Sequence, residues 1–241
     1  MKNITNNNTD NYSFLKTDIH SHLIPGLDDG VKSIKEAIEC ISRLNALGFS
    51  KIITTPHINS EYFHNTPETI RLGLEKLNAA IKKLKIPIVV EAAAEYYLNY
   101  DFIDSIVKNE LLTFGDNYVL FELSYYNATN IVDEAVFKMQ THGYKPVLAH
   151  PERYNYWNNN IDIFKKLKDK GVLFQMNTLS LNGVFSVEAK NMAENFIKNN
   201  MIEFIGSDAH NINYVIGLEL VVSNKYFKKL RDSGLLLNQI L

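Results

Sequence analysis

Asp18-Ile19-His20-Ser21-His22 places two imidazoles two residues apart in a segment that reads as the first strand of the chain. Side chains of an extended segment repeat every second residue, so His20 and His22 share one face. The same spacing returns near the other end in Asp208-Ala209-His210, with a carboxylate and an imidazole. Between these two passages short β-type apolar runs alternate with helical stripes, the order of a parallel α/β fold.

The stripes carry their own punctuation. Ser33 and Glu36 form a capping-box pattern around the stripe Ile34, Ile38, Ile41 and Leu44, and Gly48 closes that helix. Thr66-Pro67 opens the next, a cap followed by proline at the first helical position, with Ile70, Leu74, Leu77, Ile81 and Leu84 on one face. Strands are expected at 51–55, 88–90, 118–123, 146–149, 172–176 and 202–205, helices near 130–142, 161–170 and 186–199, and a last helix over 214–230. The alternation repeats about seven times with no linker to cut it, which predicts one domain over 14–241 behind a flexible, Asn/Thr-rich tail of residues 1–13.

A formal charge of −2 and the lack of a long Lys/Arg run argue against a nucleic-acid groove, which needs clustered positive charge. No secretory signal and no apolar stretch of spanning length is visible, so the expectation is a cytoplasmic protein without membrane insertion. Cys40, the single cysteine, sits between Ile38 and Ile41 and reads as a small buried side chain.

Barrel-type α/β enzymes build their sites at the carboxyl ends of the strands. His20 and His22 end the first expected strand, His57 the second, Glu95 the third, Glu122 the fourth, His150 the fifth, and Asp208 with His210 the seventh; only the sixth, at Asn177, ends without an ionisable group. Each alone is an ordinary hydrogen-bonded residue. Converging together on one barrel mouth, they call for cations to neutralise the acids and occupy the ring nitrogens. A nitrogen and oxygen set without cysteine suits Mn, Fe or Zn, and it exceeds what one ion needs, which points to a di- or trinuclear cluster.

Asp28-Asp29-Gly30 reads equally as a turn or as the source of a ligand in Asp29. Asp18 either orients a ligating imidazole or binds metal itself. Arg153, one of four arginines, stands beside His150 and reads as a surface salt bridge or as a bidentate phosphate contact. Tyr96, Tyr97, Tyr125, Tyr126, Tyr154 and Tyr156 crowd the motifs and fit ordinary packing as well as an aryl-binding wall.

These passages, together with Thr54-Thr55-Pro56-His57, Ala94-Glu95-Tyr96-Tyr97, Phe121-Glu122, Ala149-His150-Pro151-Glu152-Arg153 and Gly206-Ser207-Asp208-Ala209-His210-Asn211, resemble the PHP (polymerase and histidinol phosphatase) superfamily. Within it they are most similar to the bacterial manganese-dependent protein-tyrosine phosphatases of capsule and exopolysaccharide synthesis. The resemblance implies a distorted TIM-like barrel of seven βα units carrying a trinuclear Mn site, with His20, His22, Asp29, His57, Glu95, Glu122, His150, Asp208 and His210 among the ligands. It implies Arg153 as a phosphate contact, Asp208 or His210 as a proton source, and hydrolysis of phosphotyrosine by a metal-activated hydroxide without a covalent enzyme intermediate. The implied partner is a tyrosine-phosphorylated protein resembling a bacterial tyrosine kinase tail. Members of that group often carry a second arginine after the final histidine, where this chain reads Asn211-Ile212-Asn213-Tyr214-Val215. The competing readings are a small-molecule phosphatase of the histidinol-phosphate type, a phosphotyrosine-binding module without turnover, and, more distantly, an amidohydrolase, which would carry a bridging lysine where Glu122 stands.

Overall fold

The computed structural model describes residues 11–158 and 160–241. Its strands are β1 (Thr17–Asp18), β2 (Lys51–Thr54), β3 (His57–Ile58), β4 (Val89–Ala92), β5 (Glu95–Tyr97), β6 (Tyr118–Glu122), β7 (Lys145–Ala149), β8 (Leu173–Asn177) and β9 (Phe204–Gly206). The helices are α1 (Ile34–Ala46), α2 (Pro67–Leu84), α3 (Tyr100–Val107), α4 (Val132–Thr141), α5 (Ile161–Asp169), α6 (Val187–Lys198), α7 (Ile212–Val221) and α8 (Lys225–Ser233). All strand pairs are parallel, in the orders β1-β2-β4 and β3-β5-β6-β7-β8-β9.

The two sheets are parts of one ring. β2 runs into β3 and β4 into β5, and across both interruptions the pairing is carried by Ala93 N donating to Thr54 O at 3.0 Å and Glu95 N donating to Pro56 O at 3.1 Å. On the other side, Ser21 bridges Ala209 in parallel, Asp208 N donates to His20 O at 2.8 Å and His22 N to Ala209 O at 2.9 Å. The buried carboxylate of Asp18 adds a clasp from the first strand to the last, accepting from Ser207 N at 2.9 Å and Ser207 Oγ at 2.6 Å. The result is a distorted barrel of seven strand segments with helices outside.

Its distortion moves two expected strand ends. His57 and Glu95 do not close β2 and β4; each opens the short segment after a break, and the first break holds Pro56, which has no amide hydrogen to donate. Period-two alternation then sorts the core. Ile53, Ala93, Leu120, Val147 and Phe204 belong to a cluster inside the ring, whereas Ile52, Val119, Phe121, Leu148 and Phe174 join the larger layer under the helices.

Other expectations change at the margins. The last expected helix is two, α7 and α8, separated where Asn224 turns its side chain onto Tyr226 N and caps the second. α3 is absent from the reading of the sequence, although Asn99 caps it and Phe102, Ile103 and Ile106 give it a buried stripe. Most of the expected tail lies outside the described residues. Its described part does not behave as a tail: Tyr12 is fully buried, stacks on Phe49 with centroids 5.0 Å apart and donates to Leu218 O at 2.9 Å. Cys40 is buried in α1, as expected. Among the described residues no helix is long and apolar enough to cross a membrane.

Candidate metal centre and phosphate pocket

The carboxyl ends of the strands continue the inward face of the ring. Glu122 follows Leu120, Glu95 follows Ala93, and Asp208 follows Phe204 and Gly206, each two residues further on. His150 and Asp208 sit in left-handed backbone, at φ 35° and φ 50°, a conformation costing roughly 1–2 kcal/mol for a residue with a Cβ. The turn at His150 is needed because the parity of β7, with Val147 and Ala149 inward, would otherwise send that imidazole outward. His20 and His22 arrive from chain that has left regular strand geometry after Asp18.

All nine expected ligands meet here. Glu95 is the hub: Oε2 lies 3.1 Å from His20 Nε2, 3.4 Å from His22 Nε2 and 3.3 Å from His57 Nδ1, and Oε1 lies 2.9 Å from His150 Nε2. Asp208 Oδ1 is 3.4 Å from His20 Nε2 and 3.3 Å from His22 Nε2, and Glu122 Oε1 is 3.2 Å from His57 Nδ1. Asp29 Oδ1 approaches His57 Nε2 at 3.6 Å and His210 Nε2 at 3.4 Å from the open side. Donor atoms close enough to hold a cation form four overlapping sets: His22, Asp29, His57 and His210; His20, His22 and Asp208; His20, Glu95 and His150; and His57, Glu95 and Glu122.

The electrostatics fit cations. Burial works against charge on His20, but Glu95 and Asp208 outweigh it and raise its affinity for a proton; the same contest leaves His57 raised to about 9. Burial also opposes ionisation of Glu95 and Asp208, yet the surrounding imidazoles hold both well below the ordinary carboxylate range. The carboxylates thus raise the proton affinity of His20, His22 and His57, whereas burial lowers that of His150, and the same ring nitrogens are where metal ions would bind. His57 Nδ1 is buried beside two carboxylates without a hydrogen bond to either, an orientation suited to a shared cation.

The orienting role expected of Asp18 belongs to Asp28. Asp18 faces Ser207 and orients no imidazole. Asp28 does: its Oδ2 accepts from His22 Nδ1 at 2.7 Å and from His57 N at 3.0 Å, while Oδ1 accepts from Gly30 N at 3.0 Å. Gly30 lets this turn lie on His22, since a Cβ there would come within 2.1 Å of His22 O. Asp28 was legible only as half of a turn pair.

Arg153 is no surface salt bridge. Its guanidinium packs on the rings of Tyr125, 4.6 Å from the centroid, and Phe185, 4.2 Å away, and Nη1 donates to Asp208 Oδ2 at 3.2 Å. Phe185 carried no signal in the sequence. Arg153 and most of the acid–imidazole cluster line one cavity of about 350 Å³ with Tyr62, Phe63, Tyr97, Tyr125, Tyr126 and Tyr214. Tyr96 and Tyr154 are structural instead: Tyr96 OH accepts from Leu112 N, and Tyr154 OH accepts from Leu123 N and donates to Ala149 O. Tyr156 packs behind the wall, donating to Ser124 O. Where a second arginine is expected, Tyr214 borders the cavity, its ring 5.3 Å from that of His210.

A family model described as capsular polysaccharide synthesis, CpsB/CapC, matches residues 16–216, from the first strand into α7. The chain belongs to the CpsB/CapC family. It is 32% identical over 196 residues to the tyrosine-protein phosphatase YwqE of Bacillus subtilis (strain 168), covering 81% of this chain and 77% of that protein. A solved CpsB/CapC-type structure, described as that of YwqE from Bacillus subtilis and CpsB from Streptococcus pneumoniae, unique metal-dependent tyrosine phosphatases, superposes with a TM-score of 0.80 at 28% identity over 92% of this chain and 94% of that one. The histidinol phosphate phosphatase of Lactococcus lactis, solved with zinc, histidinol and phosphate, shares the fold at a TM-score of 0.53 and 13% identity, covering 86% of this chain and 92% of that one.

Proposed function

We propose that this chain is a manganese-dependent protein-tyrosine phosphatase whose substrate is the phosphorylated tail of a tyrosine kinase in capsule or exopolysaccharide synthesis, acting in the cytoplasm. The observation that carries the reading is the position of Arg153, packed on two aromatic rings and bonded to Asp208 in the cavity that seven of the nine acid–imidazole residues line. The names of its relatives, tyrosine-protein phosphatases, and the metal dependence named for YwqE and CpsB support it.

In this reading His20, His22, Asp29, His57, Glu95, Glu122, His150, Asp208 and His210 would hold three metal ions, drawing on the four overlapping donor sets. Bound there, the ions would offset the charge of the phosphoryl oxygens and make a water nucleophilic at neutral pH. Arg153 directs its remaining N–H donors to the phosphate oxygens, a planar contact that lysine does not reproduce. Tyr97, Tyr125 and Tyr126 give the phenyl ring apolar walls. A phenol of pKa about 10 leaves more readily than an alkoxide, so the demand on an acid is small; His210 would hold or return that proton, since Asp208 is kept ionised with its Oδ2 bonded to Asn177 and Arg153.

The test is a comparison of substrates. Manganese-loaded protein should hydrolyse a tyrosine-phosphorylated peptide with a kcat/KM far above that for histidinol phosphate. Preference for histidinol phosphate would replace this reading with the small-molecule one.

A further inference from the structure

β8 ends without an ionisable group, yet its inward face, in phase with Leu173, carries two fully buried amides, Gln175 and Asn177. A buried amide is costly unless its polar atoms are bonded. Here the bonds form one directed chain. Asn177 Nδ2 lies 2.6 Å from Asp208 Oδ2, and a carboxylate oxygen only accepts, so the nitrogen end of the amide must face it. Asn177 Oδ1 is then left to accept from Gln175 Nε2 at 3.0 Å, and this turns Gln175 Oε1 toward His20 Nδ1 at 2.7 Å. Because an amide oxygen also only accepts, the ring proton of His20 lies on Nδ1, and Nε2 is the atom presented to Glu95 and Asp208.

The chain is anchored at its far end. Asn177 N donates to Glu152 Oε1 at 2.9 Å, and Ser180 Oγ donates to the same oxygen at 2.7 Å. Gly206, on the neighbouring β9, leaves room for it: a Cβ there would lie 2.6 Å from His20 Cβ and 2.9 Å from Gln175 Nε2.

We infer that Gln175 and Asn177 are positioning residues for the metal centre, together fixing His20 as the Nδ1–H tautomer with Nε2 as its donor atom and reserving Asp208 Oδ1 for the centre by engaging Oδ2. The inference rests on the metal reading above and concerns which atoms serve it. The sixth strand thus contributes orientation where the others contribute ligands, and removing such a partner is expected to weaken metal binding by about 10- to 100-fold.

The full chain loaded with zinc, a diamagnetic probe, tests this by nitrogen-15 NMR of the histidine rings. His20 should show a protected proton on Nδ1 and a metal-shifted Nε2. In chelator competition, Gln175→Met and Asn177→Leu should bind zinc about 10- to 100-fold more weakly, while their metal-free forms melt close to the wild type. A His20 proton on Nε2, or variants that bind zinc as the wild type does, overturns the inference. The tautomer is read in unmutated protein, so the result stands even where a variant fails to fold. Wild-type protein that takes up no zinc is a different outcome: it removes the metal reading itself, and this inference with it.

Discussion

Arg153 Nη1 donates to Asp208 Oδ2 at 3.2 Å, so the proposed phosphate contact and one of the metal-ligand candidates are a single hydrogen-bonded unit. Asp208 nevertheless retains its bond from Asn177 when Arg153 is removed. Arg153→Ala should therefore keep its metal content while kcat/KM for a phosphotyrosyl peptide falls by about 10²–10³, the usual cost of losing one oxyanion donor. Arg153→Lys should recover little. Metal analysis beside steady-state kinetics checks this, and unchanged kinetics would take Arg153 out of the site.

Phe185 supports the same guanidinium as Tyr125, its ring centroid 4.2 Å from the guanidinium carbon. At a partly exposed site such a stack is worth about 0.5–1 kcal/mol. Phe185→Ala should raise KM by about 2- to 5-fold, with metal content unchanged.

Metal uptake should release protons. Ring nitrogens must shed a proton to ligate, and the carboxylates around His57 hold its proton up to about 9. Raising the pH toward that value removes a competitor for the ring, so manganese affinity should increase from pH 6.5 to 8.5 and level off above about 9. Titration calorimetry in buffers of different ionisation enthalpy measures the protons released; none released at pH 7 would contradict the proton-loaded cluster.

Cys40 is buried in α1 against the core, and burial pushes its thiol up to about 12. The reactive thiolate is accordingly scarce at pH 8. Alkylation of the native protein should be far slower than of the unfolded chain, and equal rates would mean that α1 does not stay docked.

Much of this was legible because the signals repeat. Helix caps and apolar stripes located α1 and α2, and an ionisable residue at almost every expected strand end pointed to the mouth of the barrel, although His57 and Glu95 open short segments instead. What escaped depended on neighbours distant in sequence. Asp18 and Asp28 are both acids near one motif, and only the return of Ser207 to the first strand separates a clasp from a histidine partner. Phe185 is an unremarkable aromatic until folding brings it against Arg153. Gln175 and Asn177 have no charge to draw notice, and their meaning lies in the order of donors and acceptors between His20 and Asp208.

The central claim, metal-dependent hydrolysis, is tested most directly by phosphate release from a tyrosine-phosphorylated peptide with metal-stripped protein, before and after manganese is restored. Release should be absent from the stripped protein, appear with manganese and disappear on chelation. Metal-replete protein that binds the peptide but frees no phosphate, or stripped protein that remains fully active, would contradict the account.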